Sequence, residues 1–301
     1  MSMTQSGILL IDKSAGPSSA QVVGRVKKLF QAKKVGHLGT LDPFASGLLL
    51  LGVNEGTKIA DIFLGGMKSY RGVMVLGVET DSQDATGKVV KEGSVPLIGE
   101  TQLRRLEEEF TGEMQQVPPM FSALKKDGVR LYRLARQGKE IPRAPRSVRV
   151  EALRIEKVSD SELEFEVTCS RGTYVRTLAA DMGQALGCGA HLKSLRRTAC
   201  GHLNVQQSIT IDELEQRFAQ GSIPLVSLRA ALNNLRMINW EGRLLSRLRL
   251  GQQEVLMQIG NRREAERLVG IVDSRGELGA LAAWTEDLPE GRWRLFRVFH
   301  E

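Results

Sequence analysis

The stretch GHLGTLDPFASGLLLLGVNEGTK, residues 36–58, decides how this chain is interpreted. Residues 35–47 contain three glycines and a proline, a composition that predicts a loop. The apolar run from Leu48 to Val53 then predicts a buried strand. Asp42 lies in the loop directly before Pro43, and an Asp-Pro step is most often a turn. On these residues alone, Asp42 is open to two interpretations: a turn residue or a catalytic carboxylate.

Strand and helix patterns are mixed on both sides of this loop. Strand patterns cover residues 8–11, 48–53, 70–78 and 163–169, and helical patterns begin at Ser18, near Leu103 and near Thr173. Ser18 with Gln21 also has the form of a capping box. Because the elements do not alternate as regular βαβ units, the α+β class is favoured over a doubly wound fold.

The last part of the chain has a different pattern. Residues 268–272 and 278–284 flank the turn Ser274-Arg275-Gly276 and predict a hairpin, and residues 292–299 predict a closing strand. We therefore expect a domain boundary near residue 235, with a larger domain over 1–235 and a small β-rich domain over 236–301.

Positive charge is concentrated in one segment. The chain has a net charge of +7, and residues 125–149 contain nine basic and two acidic side chains, an excess equal to that of the whole chain. Arg130, Arg133 and Arg136 follow one stripe of a short predicted helix, because residues three apart are neighbours on a helix. An anionic partner is expected, with nucleic acid first.

Several classes of site and location are disfavoured. The three cysteines form no C-x-x-C pair and suit free thiols in a reducing compartment, and the four histidines lack metal-ligand spacing. No signal peptide is visible, and no apolar run approaches the roughly 20 residues that span a membrane. No Gly-rich cofactor loop follows a strand, which argues against a methyltransferase. A cytoplasmic protein without metal or cofactor is expected.

Tyrosine and arginine pairs give a further hint of RNA binding. Tyr70, Tyr132 and Tyr174 each have an Arg or Lys within two residues, an arrangement that can hold unstacked bases. For any single one of them, an ordinary core or rim tyrosine is the standing alternative. Arg176 lies near a predicted helix start, where a cation is disfavoured by about 0.3–1 kcal/mol. It is either an ordinary surface arginine or one that faces an anion.

Six segments resemble, in order, the motifs of the TruB family, the tRNA pseudouridine-55 synthases. They are residues 36–58, IDKSAGPSS (11–19), KSYRG (68–72), PPMFSALKKDGVRLYRLARQG (118–138), CSRGTYVRTLAADMG (169–183) and GCGAHLKSLRRTACG (187–201). The resemblance implies a pseudouridine-synthase fold, which is α+β with a central mixed, largely antiparallel sheet, and a PUA-like C-terminal domain. Phe44, Ser46 and Phe121 depart from the commoner Leu, Thr and Tyr.

The resemblance also implies roles for individual residues. Asp42 matches the catalytic aspartate, which acts on the sugar either by direct attack or by removing a proton. The substrate-binding positions it implies are Arg176, which pairs with the aspartate, Tyr70, which stacks on the base, Tyr174 and Leu195, which line the pocket, and His37, which contacts the flipped-out nucleotide. Lys13 is assigned a supporting role only.

The implied partner is the T-stem loop of tRNA. The basic insertion, about residues 118–147, matches the segment that clamps this RNA, and we expect 125–149 to be mobile without it. No cofactor, no metal, no membrane and no guide RNA are expected, and a monomer is the simplest state. Two alternatives share the scaffold: a non-catalytic tRNA-binding or tRNA-folding protein, and a guide-RNA-dependent relative of the dyskerin type, against which the long insertion argues.

Overall fold

The computed structural model describes residues 3–240, 242–287 and 290–300. Its strands are β1 (Gly7–Lys13), β2 (Val35–His37), β3 (Ser46–Val53), β4 (Lys68–Leu76), β5 (Val78–Thr80), β6 (Val89–Glu92), β7 (Gly112–Gln116), β8 (Lys125–Lys126), β9 (Val129–Arg130), β10 (Arg146–Lys157), β11 (Glu162–Cys169), β12 (Ala190–Cys200), β13 (Leu203–Asn204), β14 (Arg236–Asn239), β15 (Leu268–Val272), β16 (Leu278–Thr285) and β17 (Arg292–Val298). Its α-helices are α1 (Ser19–Phe30), α2 (Ala60–Gly65), α3 (Glu100–Glu109), α4 (Leu131–Ala135), α5 (Val175–Ala185), α6 (Ile211–Ala219), α7 (Leu228–Ala231) and α8 (Gly242–Arg249). Asn54–Ile59, Val205–Gln207 and Gln253–Ile259 are 3₁₀ helices.

A nine-stranded mixed sheet organises the larger part of the chain. Its main path runs β1-β3-β12-β4-β11-β10-β7, with β2 paired to β3 and β13 paired to β12. These neighbours are antiparallel except for β3 and β12, which are parallel. The predicted α+β class and the mixed, largely antiparallel sheet are therefore confirmed.

The parallel contact between β3 and β12 depends on a glycine. Gly47 has a φ of 98° and pairs with Arg197. A Cβ on Gly47 would lie 2.3 Å from the Arg197 carbonyl oxygen and 2.8 Å from its nitrogen, distances that real Cβ atoms do not reach. Any side chain here would push the two strands apart at the point where the Asp42 loop enters β3.

Helix α1 begins where the capping box predicts. The Gln21 amide donates to Ser18 Oγ at 3.3 Å, and the Ser18 amide donates to Gln21 Oε1 at 2.8 Å. The helix buries Val22, Val26 and Phe30, which join the main core beneath β1 and β3. The helical spacing of these apolar residues therefore identified the buried face correctly.

The sequence patterns misplace or miss several elements. Residues 35–47 are not a continuous loop, because 35–37 form β2 against β3. The strand predicted over 70–78 starts earlier and ends at Leu76, since Gly77, with a φ of 79°, turns the chain before β5. The patterns predict neither β10 nor β12. Both strands contain register shifts that reverse the alternation of buried and exposed residues.

A second sheet, in the order β14-β15-β16-β17, forms the C-terminal part of the chain. The predicted hairpin is present as β15 and β16, and the predicted closing strand as β17. Leu281 and Phe299 of this part share a core cluster with Leu48 and Leu50 of β3. The small sheet therefore shares an apolar core with the strand that follows the Asp42 loop.

The basic segment 125–149 contains the short hairpin β8–β9 and the short helix α4. The Leu131 amide donates to the Leu124 carbonyl at 2.8 Å, and the Tyr132 amide donates to the Ser122 carbonyl at 3.1 Å. These bonds attach α4 to the residues that precede the hairpin. The mobility of this segment in the absence of RNA stays a prediction.

Candidate active site

Buried polar side chains hold the loop that carries Asp42. Lys13 Nζ, on β1, donates to the Pro43 carbonyl at 3.2 Å. Ser19 Oγ, on α1, donates to the Leu41 carbonyl at 2.8 Å and accepts from the Leu41 amide at 2.9 Å. Both side chains are buried. The main chain is therefore fixed on each side of Asp42 by groups from two different elements.

The Lys13 ammonium is strongly perturbed by its position. Besides Pro43, it donates to the carbonyls of Ser14 at 2.8 Å and Pro17 at 2.9 Å. Burial lowers the pKa of Lys13 to about 8, while the charge of Asp42 opposes this shift and that of Arg197 adds to it. All three ammonium protons are engaged while the group is charged.

Arg197 of β12 holds both ends of the same loop. Its Nε donates to the Leu48 carbonyl at 2.6 Å, and Nη1 and Nη2 donate to the carbonyls of Thr40 and Gly39, each at 3.2 Å. The side chain is 2% exposed. The sequence patterns do not single out Arg197, since it lies in a strand whose alternation is broken by a bulge.

Asp42 and Arg176 form an ion pair. Arg176 Nε lies 2.9 Å from Asp42 Oδ2, with the arginine side chain 5% exposed and the aspartate side chain 40% exposed. Arg176 is therefore not an ordinary surface arginine. The carboxylate can be reached from solvent while the cation lies behind it in the protein, and this is the arrangement expected of a carboxylate that meets a substrate.

The Arg176 guanidinium makes three further contacts. Nη1 donates to the Ser82 carbonyl at 2.7 Å, and Nη2 donates to the Phe121 carbonyl at 2.8 Å. Nη1 also lies 3.4 Å from Oδ2 of the buried Asp84. One guanidinium is thus shared between two carboxylates, and its orientation is fixed by groups from two separate loops.

Asp84 is in turn held by its own turn, TDSQDATG. Its Oδ1 accepts from Ser82 Oγ at 2.8 Å, from the Thr86 amide at 2.9 Å and from Thr86 Oγ1 at 2.5 Å. This leaves Oδ2 directed at Arg176. No sequence pattern singles out Asp84, although the short acidic, Gly-containing turn around it is typical of a loop with side-chain hydrogen bonds.

Tyr70 and Leu195 lie on adjacent strands. Tyr70 of β4 pairs with Arg197, and Leu195 of β12 pairs with Gly72. Leu195 is buried in the main core cluster, and the half-buried Tyr70 packs against that cluster. Burial raises the pKa of Tyr70 to about 12, although the charge of Arg197 opposes the shift. The hydroxyl therefore stays protonated at neutral pH and the ring is uncharged.

His37 and Tyr174 complete the predicted set. His37 ends β2, and burial, with the charge of Arg197, lowers its pKa, so the imidazole is neutral at pH 7. Its Nδ1 is buried without a hydrogen-bond partner among the described residues. Burial raises the pKa of Tyr174, and the charge of Asp42 adds to this shift while that of Arg146 opposes it.

Neither a metal site nor a membrane-spanning helix is present in residues 3–240, 242–287 and 290–300, which the structure describes. No group of three or more His, Cys, Asp or Glu side chains there is placed to hold a metal ion. None of the helices in these ranges has the length and apolar character needed to cross a bilayer.

Comparison with known sequences identifies the family. A sequence model described as TruB family pseudouridylate synthase, N-terminal domain, matches residues 27–175, and one described as tRNA pseudouridylate synthase B C-terminal domain matches residues 176–236. The chain belongs to the TruB family. A TruB relative from Geotalea uraniireducens, tRNA pseudouridine synthase B, is 42% identical over 293 residues, covering 97% of this chain and 94% of that protein. A relative of the same name from Methylobacillus flagellatus is 41% identical over 248 residues, 82% of each protein.

Solved structures share the fold of this TruB chain. A chain from the crystal structure of a Cbf5-Nop10-Gar1 complex has a TM-score of 0.71 and 24% identity, covering 97% of this chain and 85% of that chain. A chain from an H/ACA RNP bound to a substrate RNA containing 2′-deoxyuridine has a TM-score of 0.69 and 22% identity, covering 98% and 85%. The predicted pseudouridine-synthase fold is confirmed.

Proposed function

We propose that this TruB protein isomerises uridine 55 in the T-loop of tRNA to pseudouridine, with Asp42 as the catalytic carboxylate. The isomerase activity and the tRNA substrate are supported by relatives named tRNA pseudouridine synthase B that match over nearly the whole chain. The observation that carries the assignment of Asp42 is its ion pair with Arg176, in which an accessible carboxylate is backed by a buried guanidinium.

The reaction explains why a fixed carboxylate is needed. Pseudouridine formation breaks the bond between C1′ and N1, turns the base, joins C1′ to C5 and releases the C5 proton to solvent. Asp42 acts on the ribose, by attack or by removal of a sugar proton, and in both routes it must be ionised. A base that covers the site removes water from Asp42, and the adjacent charge of Arg176 offsets that cost.

The base pocket is formed by the residues around this pair. The neutral ring of Tyr70 suits stacking on the uracil, and Tyr174 and Leu195 supply further apolar surface beside it. His37 meets the RNA where the nucleotide leaves its stack. Flipping a nucleotide costs a few kcal/mol, which stacking and phosphate contacts must offset.

RNA affinity comes from two further parts of the chain. The insertion, residues 118–147, includes most of the basic segment and clamps the T-stem loop. Residues 236–301 are the proposed PUA-like RNA-binding domain, and the start of the small sheet at Arg236 supports a boundary with the catalytic domain, 1–235. The insertion also supports action without a guide RNA. We further propose that the protein acts as a monomer in the cytoplasm and needs no metal or cofactor.

Tritium release tests the proposed reaction and its position. A tRNA transcript carrying tritium at C5 of its uridines is incubated with the protein, and release to solvent is measured. We expect release equivalent to one uridine per tRNA, and none from a transcript with cytidine at position 55. Equal release from both transcripts would contradict the assignment of uridine 55.

A further inference from the structure

A buried glutamine fixes the start of helix α5. Gln116, the last residue of β7, is 2% exposed. Its Nε2 donates to the Tyr174 carbonyl at 3.1 Å, and its Oε1 accepts from the Tyr174 amide at 2.7 Å. One side-chain amide thus satisfies both main-chain groups of a single residue, which fixes that residue in position and in orientation.

Tyr174 is a sensitive point because it is the N-cap of α5. Its own side chain makes no capping hydrogen bond. The amides at a helix start need acceptors from outside the helix, and Gln116 Oε1 supplies one to the Tyr174 amide. Gln116 Nε2 adds a second donor to the Tyr174 carbonyl, which also accepts the first hydrogen bond of α5 from the Leu178 amide at 3.0 Å. Arg176 lies two residues further on, in the first turn of α5. A shift of Tyr174 would therefore move the guanidinium that pairs with Asp42.

The same short segment also contacts the guanidinium directly. The Phe121 carbonyl, five residues after Gln116, accepts from Arg176 Nη2 at 2.8 Å. This contact is made by the main chain, so the change from the family's commoner tyrosine at residue 121 does not remove it. Residues 116–121 thus hold both the helix start and the side chain that α5 presents to Asp42.

Residues 116–121 also lead directly into the basic insertion. The Ser122 carbonyl accepts from the Tyr132 amide at 3.1 Å, and the Leu124 carbonyl accepts from the Leu131 amide at 2.8 Å. Helix α4 is therefore hydrogen-bonded to residues that directly follow Phe121. Hydrogen bonds to the adjacent residues Phe121 and Ser122 thus connect Arg176 and α4 through one short stretch of main chain.

We propose that Gln116 is a positioning residue for the Asp42–Arg176 pair, which it holds through the main chain of Tyr174. Gln116 touches neither the carboxylate nor the guanidinium, and its effect on the reaction passes through the first turn of α5. The inference rests on the proposed function, because the pair is given its catalytic role there.

The test compares two neighbouring glutamines. Gln116→Met keeps the length of the side chain and removes both hydrogen bonds, whereas Gln115→Met makes the same change at an exposed position of the same strand. We expect the single-turnover rate constant of Gln116→Met to fall about 10- to 100-fold, because small misplacements of catalytic groups have effects of that size. Its Kd for tRNA should stay within about twofold, since binding is dominated by phosphate contacts elsewhere.

A double-mutant cycle separates positioning from a general structural defect. If Gln116 acts through Arg176, adding Gln116→Met to Arg176→Lys should slow the reaction by less than about threefold, because the two changes affect one unit. Losses that multiply in the double variant would overturn the proposal. So would a Gln116→Met rate constant equal to that of Gln115→Met.

A folding control and the activity of the native chain complete the test. Circular dichroism establishes that each variant is folded. If Gln116→Met does not fold, Gln116→Glu takes its place under the same criteria, since it keeps the acceptor for the Tyr174 amide and loses the donor to its carbonyl. A native chain that releases no tritium would contradict the proposed function. An active native chain with an equally active Gln116 variant would contradict this inference alone.

Discussion

Replacing Arg197 by methionine should damage both the stability of the fold and the reaction. The guanidinium makes three hydrogen bonds, at 2.6, 3.2 and 3.2 Å, to main-chain oxygens at the two ends of the Asp42 loop. Methionine fills part of the same space but donates none of them. The three carbonyls then lose these donors, and because Arg197 is only 2% exposed, water has little access to replace them.

The expected magnitudes follow from these contacts. A hydrogen bond from a charged donor contributes about 1.5–3 kcal/mol, and the two longer bonds belong at the low end. Removing the guanidinium also relieves its own desolvation, so the net loss of unfolding free energy should be about 3–5 kcal/mol. If Asp42 shifts by about 1 Å, the single-turnover rate constant should fall about 100-fold.

The neighbouring arginine provides a matched control. Arg196 is 42% exposed and pairs with Asp12 at 2.7 Å, so Arg196→Met should cost less than about 1 kcal/mol and leave the rate constant near native. Urea unfolding and single-turnover tritium release measure the two quantities for each variant. Indistinguishable behaviour of Arg197→Met and Arg196→Met in both assays would refute the reasoning.

Two further predictions concern pH. Lys13 loses a proton near pH 8 in the folded protein, and its neutral amine can donate only two of the three hydrogen bonds to carbonyls. The single-turnover rate constant of the native chain should therefore fall above pH 8. The rate constant of Lys13→Met should not show this fall. In the unfolded chain Lys13 keeps its proton up to its ordinary pKa of 10.5, so the unfolded state binds more protons between pH 8 and 10.5. The free energy of unfolding of the native chain, measured in urea relative to Lys13→Met, should therefore rise over this pH range. A fall would contradict the lowered pKa of Lys13. Burial raises the pKa of Asp181 from 3.8 to about 6, so its ionised form destabilises the fold above that pH. The free energy of unfolding of Asp181→Asn should therefore exceed that of the native chain by about 1–2 kcal/mol at neutral pH, and the two should be equal below about pH 4. Equal free energies of unfolding at pH 7 would contradict the raised pKa of Asp181.

Local patterns predict those parts of the fold that are determined locally. The capping box and apolar spacing of α1, the apolar run of β3 and the hairpin of β15 and β16 all depend on neighbouring residues, and all are present. β10 and β12 are not predicted, because one register shift in β10 and two in β12 each move the buried face by one residue. Strand order, including the parallel contact at Gly47, depends on long-range pairing that no local pattern contains.

The candidate site shows the same division. Motif resemblance selected Asp42 and Arg176, and their ion pair is present in the structure. Three further residues hold the pair and its loop: Asp84 in a turn, Arg197 in a bulged strand and Gln116 in an edge strand of the sheet. No local sequence pattern distinguishes them from other polar residues. Their burial, and the main-chain groups they meet, become visible only when the sheet brings these segments together.

The most direct test of the account is tritium release by Asp42→Asn. The substitution keeps the shape of the side chain and removes the charge that the proposed reaction needs. We predict that the native chain releases the tritium of uridine 55, whereas Asp42→Asn releases none above background while it binds tRNA with near-native affinity. Release by the variant at the native rate would contradict the catalytic role of Asp42, and no release by either protein would favour a non-catalytic tRNA-binding protein.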